Sequence, residues 1–457
     1  MKKTICIALL FCSFFLPALF AQEARLVTLT VDQAVDYAME HSRTLKSAEI
    51  DLEIKERAAK YSWNVFLPTL QLSGTAARTT DIDSTLSQMN AMGQMGAALA
   101  KTAYTPVSDK EKYHWAIVGN VSASLNLSLA YIGQIKAAKA GYEGGKITWE
   151  QSQKETLMNI KKLFYGLLLQ KESLAVQKDS LENARQRAVQ AEANYRNGLI
   201  PELRLLNAQV TYENQRPQVE SAEQTFNQQL DTFAFLIGLP VGTKIELVGS
   251  IEPNFVDVTS DALLQKYSDN SLDIQSLKNN IDVLKYNLSA LNLSSWTPAL
   301  ALSYNYQPTK TFFTDDSKWP DQGALSITLA WNITNMLPFS ANRQQAKDLQ
   351  ANLDKLELAM ETLRENQKVQ VKKAVDTLSQ AREQIDSMGR NITLAQRAYD
   401  SSARSYRNGA TELLDLRDAE SQLNQAKLGQ LNQKFNYISA LMDLEYTLNA
   451  DLSSYRE

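Results

Sequence analysis

Cysteine is almost missing from this chain: there are two, Cys6 and Cys12, and both lie inside the first twenty-one residues. The body of the protein therefore has no disulfide framework, no cysteine nucleophile and no thiolate metal site. Histidine is as rare. His41 and His114 stand far apart without a partner at helical spacing, so no metal centre is expected. There is no Gly-rich phosphate loop and no Ser/His/Asp signature, so neither a cofactor nor an enzyme is indicated. Glycine (17) and proline (11) are scarce in 457 residues, which favours long uninterrupted elements. The formal charge of −4 offers no basic surface for nucleic acid. After the first twenty-one residues no stretch approaches about 18 apolar residues, so no membrane-spanning helix is expected.

The first twenty-one residues differ from the rest. Lys2 and Lys3 form a positive start, Ile5 to Phe20 is apolar, and Pro17-Ala-Leu-Phe-Ala21 resembles the approach to a signal-peptidase cut after Ala21. A transmembrane anchor is the alternative, but the apolar run of about 16 residues is short of the ~20 that a span needs. Residues 1–21 are therefore expected to be a signal peptide on an exported protein.

What the chain does have, it has twice. Tyr195-Arg-Asn-Gly198 recurs as Tyr406-Arg-Asn-Gly409. The same offset carries Leu203 onto Leu414, Leu205 onto Leu416, Asn207 onto Asp418, Ala208 onto Ala419 and Gln209 onto Glu420. Such self-similarity marks a duplicated unit, with a first repeat over 22–251 and a second over 252–457.

Each repeat opens with helical spacing. Leu29 to Trp63 reads as helix, entered through a capping box formed by Thr30 and Gln33. The period then changes to two. Leu70, Leu72, Gly74 and Ala76 alternate with Gln71, Ser73, Thr75 and Ala77. Trp115, Ile117, Gly119, Val121, Ala123, Leu125, Leu127 and Leu129 alternate with a face rich in Asn and Ser. These predict strands over about 66–77 and 115–131. Between them lies a loop of about 38 residues, Arg78 to Trp115, of a size that is usually functional or mobile. The second repeat follows suit. Val258 to Ser295 reads as helix, and strands are expected over about 299–307 and 323–333, where Leu300, Leu302, Tyr304 and Tyr306, then Leu325, Ile327, Leu329, Trp331 and Ile333, alternate with small or polar residues.

Helical hairpins follow, over 134–239 and 342–450. In the first, a helix from Gln134 to about Val176 is expected to turn near Leu174 and return from about Asp179 to Arg196. In the second, the turn is expected near Ser387-Met-Gly389. Leu349, Leu353, Leu356, Met360, Leu363, Gln367, Gln370, Ala374, Leu378, Ala381 and Ile385 step by four and three, which is coiled-coil spacing. Gly198 and Gly409 are read as hinges, left-handed stops after which a helix restarts at another angle, with Pro201 at the first position of the new helix.

Four strands with one apolar and one uncharged polar face cannot close a membrane barrel, since known ones begin at eight strands. An open sheet in lipid leaves edge N–H and C=O groups unpaired, at several kcal/mol each. Either the sheet belongs to a soluble sandwich or several chains share one barrel, and the long helices, which also need partners, favour sharing. A helix of about 42 residues reaches ~63 Å. An exported protein built this way reads as a conduit standing off a membrane.

Several segments then resemble one family, the TolC-like outer membrane efflux proteins. They are Leu29-Thr-Val-Asp-Gln-Ala34 with Ala38, His41, Ser42 and Leu45; Phe66-Leu-Pro-Thr-Leu70; Tyr195-Arg-Asn-Gly198 with Leu203, Leu206 and Ala208; Phe235-Leu-Ile-Gly-Leu-Pro240; and Tyr406-Arg-Asn-Gly409 with Leu413-Leu-Asp-Leu416 and Ala419. The resemblance covers the body of the chain and rests on the duplicated order of pieces that are individually unspecific. It implies a mixed, mostly α fold in which four transmembrane β-strands per chain contribute to a trimeric 12-stranded barrel, continued by a long periplasmic α-helical coiled-coil barrel. It implies a homotrimer in outer membrane lipid that docks a periplasmic adaptor and an inner-membrane pump.

In that family acidic residues ring the narrow periplasmic end. The best match by position is Asp400, with Arg390, Arg397 and Arg404 around it on one helical face. Arg397 stands where some relatives have a second acid, and a merely solvated helix face is the competing reading. The expected turnarounds near Leu174 and Glu172, and near Ile385 and Glu383, become candidates for adaptor contact, against ordinary trimer packing. Trp115, Tyr304, Tyr306 and Trp331 become candidates for an aromatic girdle, against core packing. The rivals to a conduit are a periplasmic coiled-coil scaffold or adhesin, which leaves paired alternating strands unexplained, and an exported hydrolase, which lacks a catalytic constellation.

Overall fold

A computed structural model describes residues 26–108, 114–240, 242–311 and 322–455. The signal peptide expected over 1–21 lies outside them, as does part of the loop between the last two strands.

The entry to the first repeat is two helices rather than one, α1 (Val31–His41) and α2 (Arg43–Lys60). The capping box is present: Thr30 Oγ1 accepts the Gln33 N–H at 3.3 Å and Gln33 Oε1 accepts the Thr30 N–H at 3.0 Å. Ser42 breaks the run because its backbone is extended (ψ 123°), and its hydroxyl accepts the Leu45 N–H to start α2. A short parallel pair, β1 (Val27–Leu29) with β4 (Ile245–Leu247), ties the start of the repeat to its end. Three-residue strands are too short to show a period, so sequence patterning misses them.

The four expected strands are all present, as β2 (Thr69–Arg78), β3 (Trp115–Leu127), β5 (Ala299–Tyr306) and β7 (Gly323–Ala330). They form one antiparallel sheet in the order β2-β3-β5-β7, with a short β6 (Thr309–Thr311) on the end of β3. The stretch between β2 and β3 is not structureless. It holds a helix, α3 (Asp83–Ala100). Gly93 and Gly96 suggest a loop, but Met, Leu, Ala and Gln around them are strong helix formers.

The long helices give the largest correction. α4 (Ala130–Arg196) and α8 (Ala341–Arg407) each run 67 residues without a break, and their partners α5 (Glu202–Ile237) and α9 (Leu413–Leu448) each run 36. The expected turns near Leu174 and near Ser387-Met-Gly389 are absent. The reason is local: neither place has a proline or a glycine with positive φ, and Gly389 packs against the Gln430 side chain. At 1.5 Å per residue each long helix reaches ~100 Å rather than ~63 Å. Leu174 and Ile385 are buried core residues, and Glu172 and Glu383 are exposed positions in mid-helix.

The chain turns instead at the repeated motif. Gly198 (φ 72°) and Gly409 (φ 71°) are both left-handed. Gly198 N–H donates to Tyr195 O (2.8 Å) and Leu199 N–H to Asn194 O (2.9 Å); Gly409 and Ala410 do the same to Tyr406 O (3.0 Å) and Ser405 O (2.9 Å). This double pattern is a Schellman stop. Pro201 then occupies the cap position, one residue earlier than expected. α5 runs back antiparallel along α4, so that Lys178 bonds Glu223 and Phe164 meets Phe233. α9 runs back along α8, with Ala395 against Leu423 and Ala426.

The two cores obey the same register. Ile160, Leu167, Phe233 and Ile237 of the first correspond to Val371, Leu378, Leu444 and Leu448 of the second, and all eight are buried. The coiled-coil stripe on α8 holds at one of its two polar steps: Gln367 is buried and donates to Ser268 O at 3.2 Å, whereas Gln370 is exposed and Val371 beside it fills the core position. Two further helices complete the second repeat, α6 (Ser260–Tyr267) and α7 (Leu272–Trp296), where a single run was expected. α7 and α2 lie antiparallel on the sheet-side half of α4.

Candidate channel wall and hairpin tips

Strand register decides what the sheet can do. Leu72 pairs with Val121, which pairs with Tyr306. Leu70, Ala123, Tyr304 and Leu325 form the next row, and Leu125, Leu302 and Ile327 another. These rows share one face, because side chains two apart on a strand point the same way. The opposite face carries Gln71, Ser122 and Asn305, then Thr69, Ser124, Ser303 and Ser326, with the last two hydroxyls 2.6 Å apart. Among the described residues no charged side chain interrupts these rows; Arg78, paired with Trp115, ends the apolar face at the last residue of β2. The apolar face is bare, with Leu70 76%, Leu72 81% and Leu325 72% exposed. An apolar sheet face of this extent does not belong against water. Both edge strands, β2 and β7, keep one unpaired row of backbone groups. A lipid-facing apolar surface, a wet polar surface and two open edges are the requirements of a barrel segment that other chains complete.

The aromatic candidates fall at two levels. Trp115 opens β3 and Tyr306 closes β5 at the end of the sheet far from the long helices, with Tyr304 two residues inside. Trp331 directly follows β7 at the helix-side end. There it joins four exposed aromatics not singled out from the sequence: Trp63, Phe66, Trp296 and Phe339. Phe66 meets the Tyr131 ring edge-on at 5.8 Å, and the Arg343 guanidinium lies 5.5 Å over Trp296. The available signal was position, since Phe66 and Trp296 each lie three residues before a strand, and Trp63 and Phe339 lie six and nine residues from one.

The structure puts Asp400 near the hairpin turns, exposed on α8, where its carboxylate accepts a hydrogen bond from Gln396 Nε2 at 2.9 Å. Arg390, Arg397 and Arg404 are exposed on the same helix, and among the described residues no ion pair joins any of them to Asp400. Asp400 does border a recess between the two hairpins, together with Asn183, Arg187, Gln190, Tyr399 and Arg404. Beside that recess is an ion pair not read from the sequence. Glu420 on α9 accepts Arg187 Nη2 at 2.7 Å and Asn183 Nδ2 at 2.9 Å, both from α4. The two charged side chains are only 11% and 8% exposed. Burial, then the Glu420 charge, push the Tyr399 hydroxyl above its ordinary pKa. The signal was the repeat itself: Glu420 replaces Gln209, which is exposed in the first copy.

At the turns, a groove between the hairpins is lined by Leu203, Asn207 and Val210 of α5 and by Leu413, Leu414 and Arg417 of α9. Leu199, Leu203, Val210 and Leu414 are exposed.

A duplicated chain of this kind, with a two-faced open sheet carried on twin helical hairpins, defines the class of outer membrane channel-tunnels. The model of the outer membrane efflux protein family matches residues 34–239 and 263–450, and the chain belongs to that family. Among solved structures it is similar to the CmeC outer membrane channel of Campylobacter jejuni, with TM-score 0.72 and 16% identity over 93% of this chain and 88% of that one. It is also similar to the outer membrane protein VceC of Vibrio cholerae, with TM-score 0.69 and 13% identity over 93% and 97%. The open-state MtrE outer membrane channel of Neisseria gonorrhoeae gives TM-score 0.65 and 18% identity over 92% and 89%. No curated protein matches in sequence.

Proposed function

We propose that three copies of this chain form a passive duct, a 12-stranded barrel in the outer membrane continued by a periplasmic helical tunnel. The duct receives small molecules or proteins from an inner-membrane pump through a periplasmic adaptor. The observation that carries this is the sheet, with one apolar face, one uncharged polar face and two open edges, set on four long helices that reach ~100 Å and ~54 Å. Trp331, Trp63, Phe66, Trp296 and Phe339 form the aromatic belt at the periplasmic interface; Trp115, Tyr304 and Tyr306 form the outer one. The adaptor meets the hairpin ends, so its contacts move from Leu174, Glu172, Ile385 and Glu383 to the exposed leucines beside Gly198 and Gly409. Asp400 with Arg390, Arg397 and Arg404 guards the narrow end, with bonding partners on neighbouring copies.

The purified protein is expected to conduct ions across a planar bilayer and to fractionate with outer membranes as a heat-modifiable oligomer. A silent bilayer together with a soluble monomer would leave a periplasmic scaffold or adhesin as the surviving reading.

A further inference from the structure

One helix has no part in the walls of the duct. α3 begins five residues beyond the end of β2, at the outer end of the sheet. From Ser84 to Ala100 it carries no charged side chain. One of its faces is held by its own following loop. Asn90 Oδ1 accepts the Val107 N–H (2.7 Å) and the Tyr104 hydroxyl (2.8 Å), and Asn90 Nδ2 donates to Val107 O (2.9 Å). The Tyr104 ring fills the space a Cβ would take at Gly93, and Leu86 is buried. The helix is thus locked in rotation, and its other face stays outward. That face carries Gln88, Met92, Met95 and Leu99, and the last three are 69%, 69% and 80% exposed.

The spacing of this stripe is four, three, four, the seam by which one helix packs on another. A helix lying on lipid headgroups has its apolar face flanked by Lys and Arg; α3 has none between Ser84 and Ala100. Its position indicates the partner. β2 is an open edge of the sheet, so α3 stands beside the seam where the next copy joins. A threefold axis brings three identical stripes to the same height around one mouth. We infer that the α3 helices of three copies of this chain pack on one another through Met92, Met95 and Leu99 and cap the outer mouth of the barrel. The inference rests on the trimeric reading above.

The test uses full-length protein carrying Cys6→Ala and Cys12→Ala, with Met95→Cys or, a quarter-turn away, Gln94→Cys. Outer membranes are oxidised with copper phenanthroline, and oligomeric state is followed separately by mass photometry. Disulfide-linked dimers with Met95→Cys and none with Gln94→Cys support the cap. A trimer without Met95→Cys dimers overturns the cap and leaves the duct standing, whereas a monomer removes both. The double variant Met92→Glu/Met95→Glu, which forces like charges together, is expected to raise single-channel conductance; an unchanged conductance overturns the cap in a second way.

Discussion

The two helical hairpins are the same object in different surroundings. Both have arms of 67 and 36 residues, the same Schellman turn at a left-handed glycine and the same core positions. They differ where they touch something else. α4 carries Gly133, Gly144 and Gly145 where α7 and α2 press on it: a Cβ at Gly133 would lie 2.8 Å from Ala290 and Tyr286 backbone atoms. The corresponding residues of α8 are Gln344, Lys355 and Leu356. α5 contains Pro217 inside the helix, where α9 has Leu428. Near the turns only the second hairpin buries a carboxylate, Glu420, against the first hairpin's Arg187. The two hairpins share one skeleton, and packing against unequal neighbours accounts for the three glycines of α4 and for the buried Glu420 of α9.

The largest test of that difference is Glu420→Ala. Removing one partner of a buried pair strands Arg187, at about 3–5 kcal/mol of stability, while the register-equivalent Gln209→Ala stays within about 0.5 kcal/mol. Urea unfolding of the two variants measures this, and equal losses would erase the asymmetry between hairpins. Next, Gly133→Leu overpacks the α4–α7 contact and costs about 1–3 kcal/mol. Its counterpart Gln344→Leu, on an exposed part of α8, is expected to be nearly neutral in the same assay. Third, Gly198→Ala and Gly409→Ala place a Cβ in open space at φ near +70°, so each costs only the left-handed penalty of about 1–2 kcal/mol. Here the two hairpins should respond alike, and a clear inequality in unfolding midpoint would show that the turns are not equivalent. The smallest effect on stability belongs to Asp400→Ala, an exposed site. It is expected to leave unfolding unchanged and to raise single-channel conductance, whereas Val189→Asp at the matching place in the first hairpin leaves conductance as it was. Unchanged conductance in Asp400→Ala removes the gate assignment.

Much of the fold was legible in residues taken one at a time. Leu70, Leu72 and their polar neighbours announced a two-faced strand because the pleat has a period of two, and the register confirms every such row. Tyr195-Arg-Asn-Gly198 and its echo announced the duplication, since glycine alone takes the left-handed stop cheaply. Around Leu174 and Ser387-Met-Gly389 polar residues and a single glycine resemble a turn, yet α4 and α8 run through both places. Within a helix held on both sides by partners they are tolerated, at about 1 kcal/mol for the glycine. α3 was hidden for the opposite reason, glycines among good helix formers. Of the candidate site, Asp400 is proposed from its position before the repeated motif, whereas the Arg187–Glu420 pair joins residues far apart in the chain and has no local signature.

By itself, then, the sequence determined the period of each element, the unit that is repeated and the faces each strand and helix presents, because these follow from backbone geometry over a few residues. Only the tertiary structure decided where the long helices turn back, which buried charge meets which, and that the sheet is left with two open edges, because those depend on free energies summed over partners that the local pattern does not name.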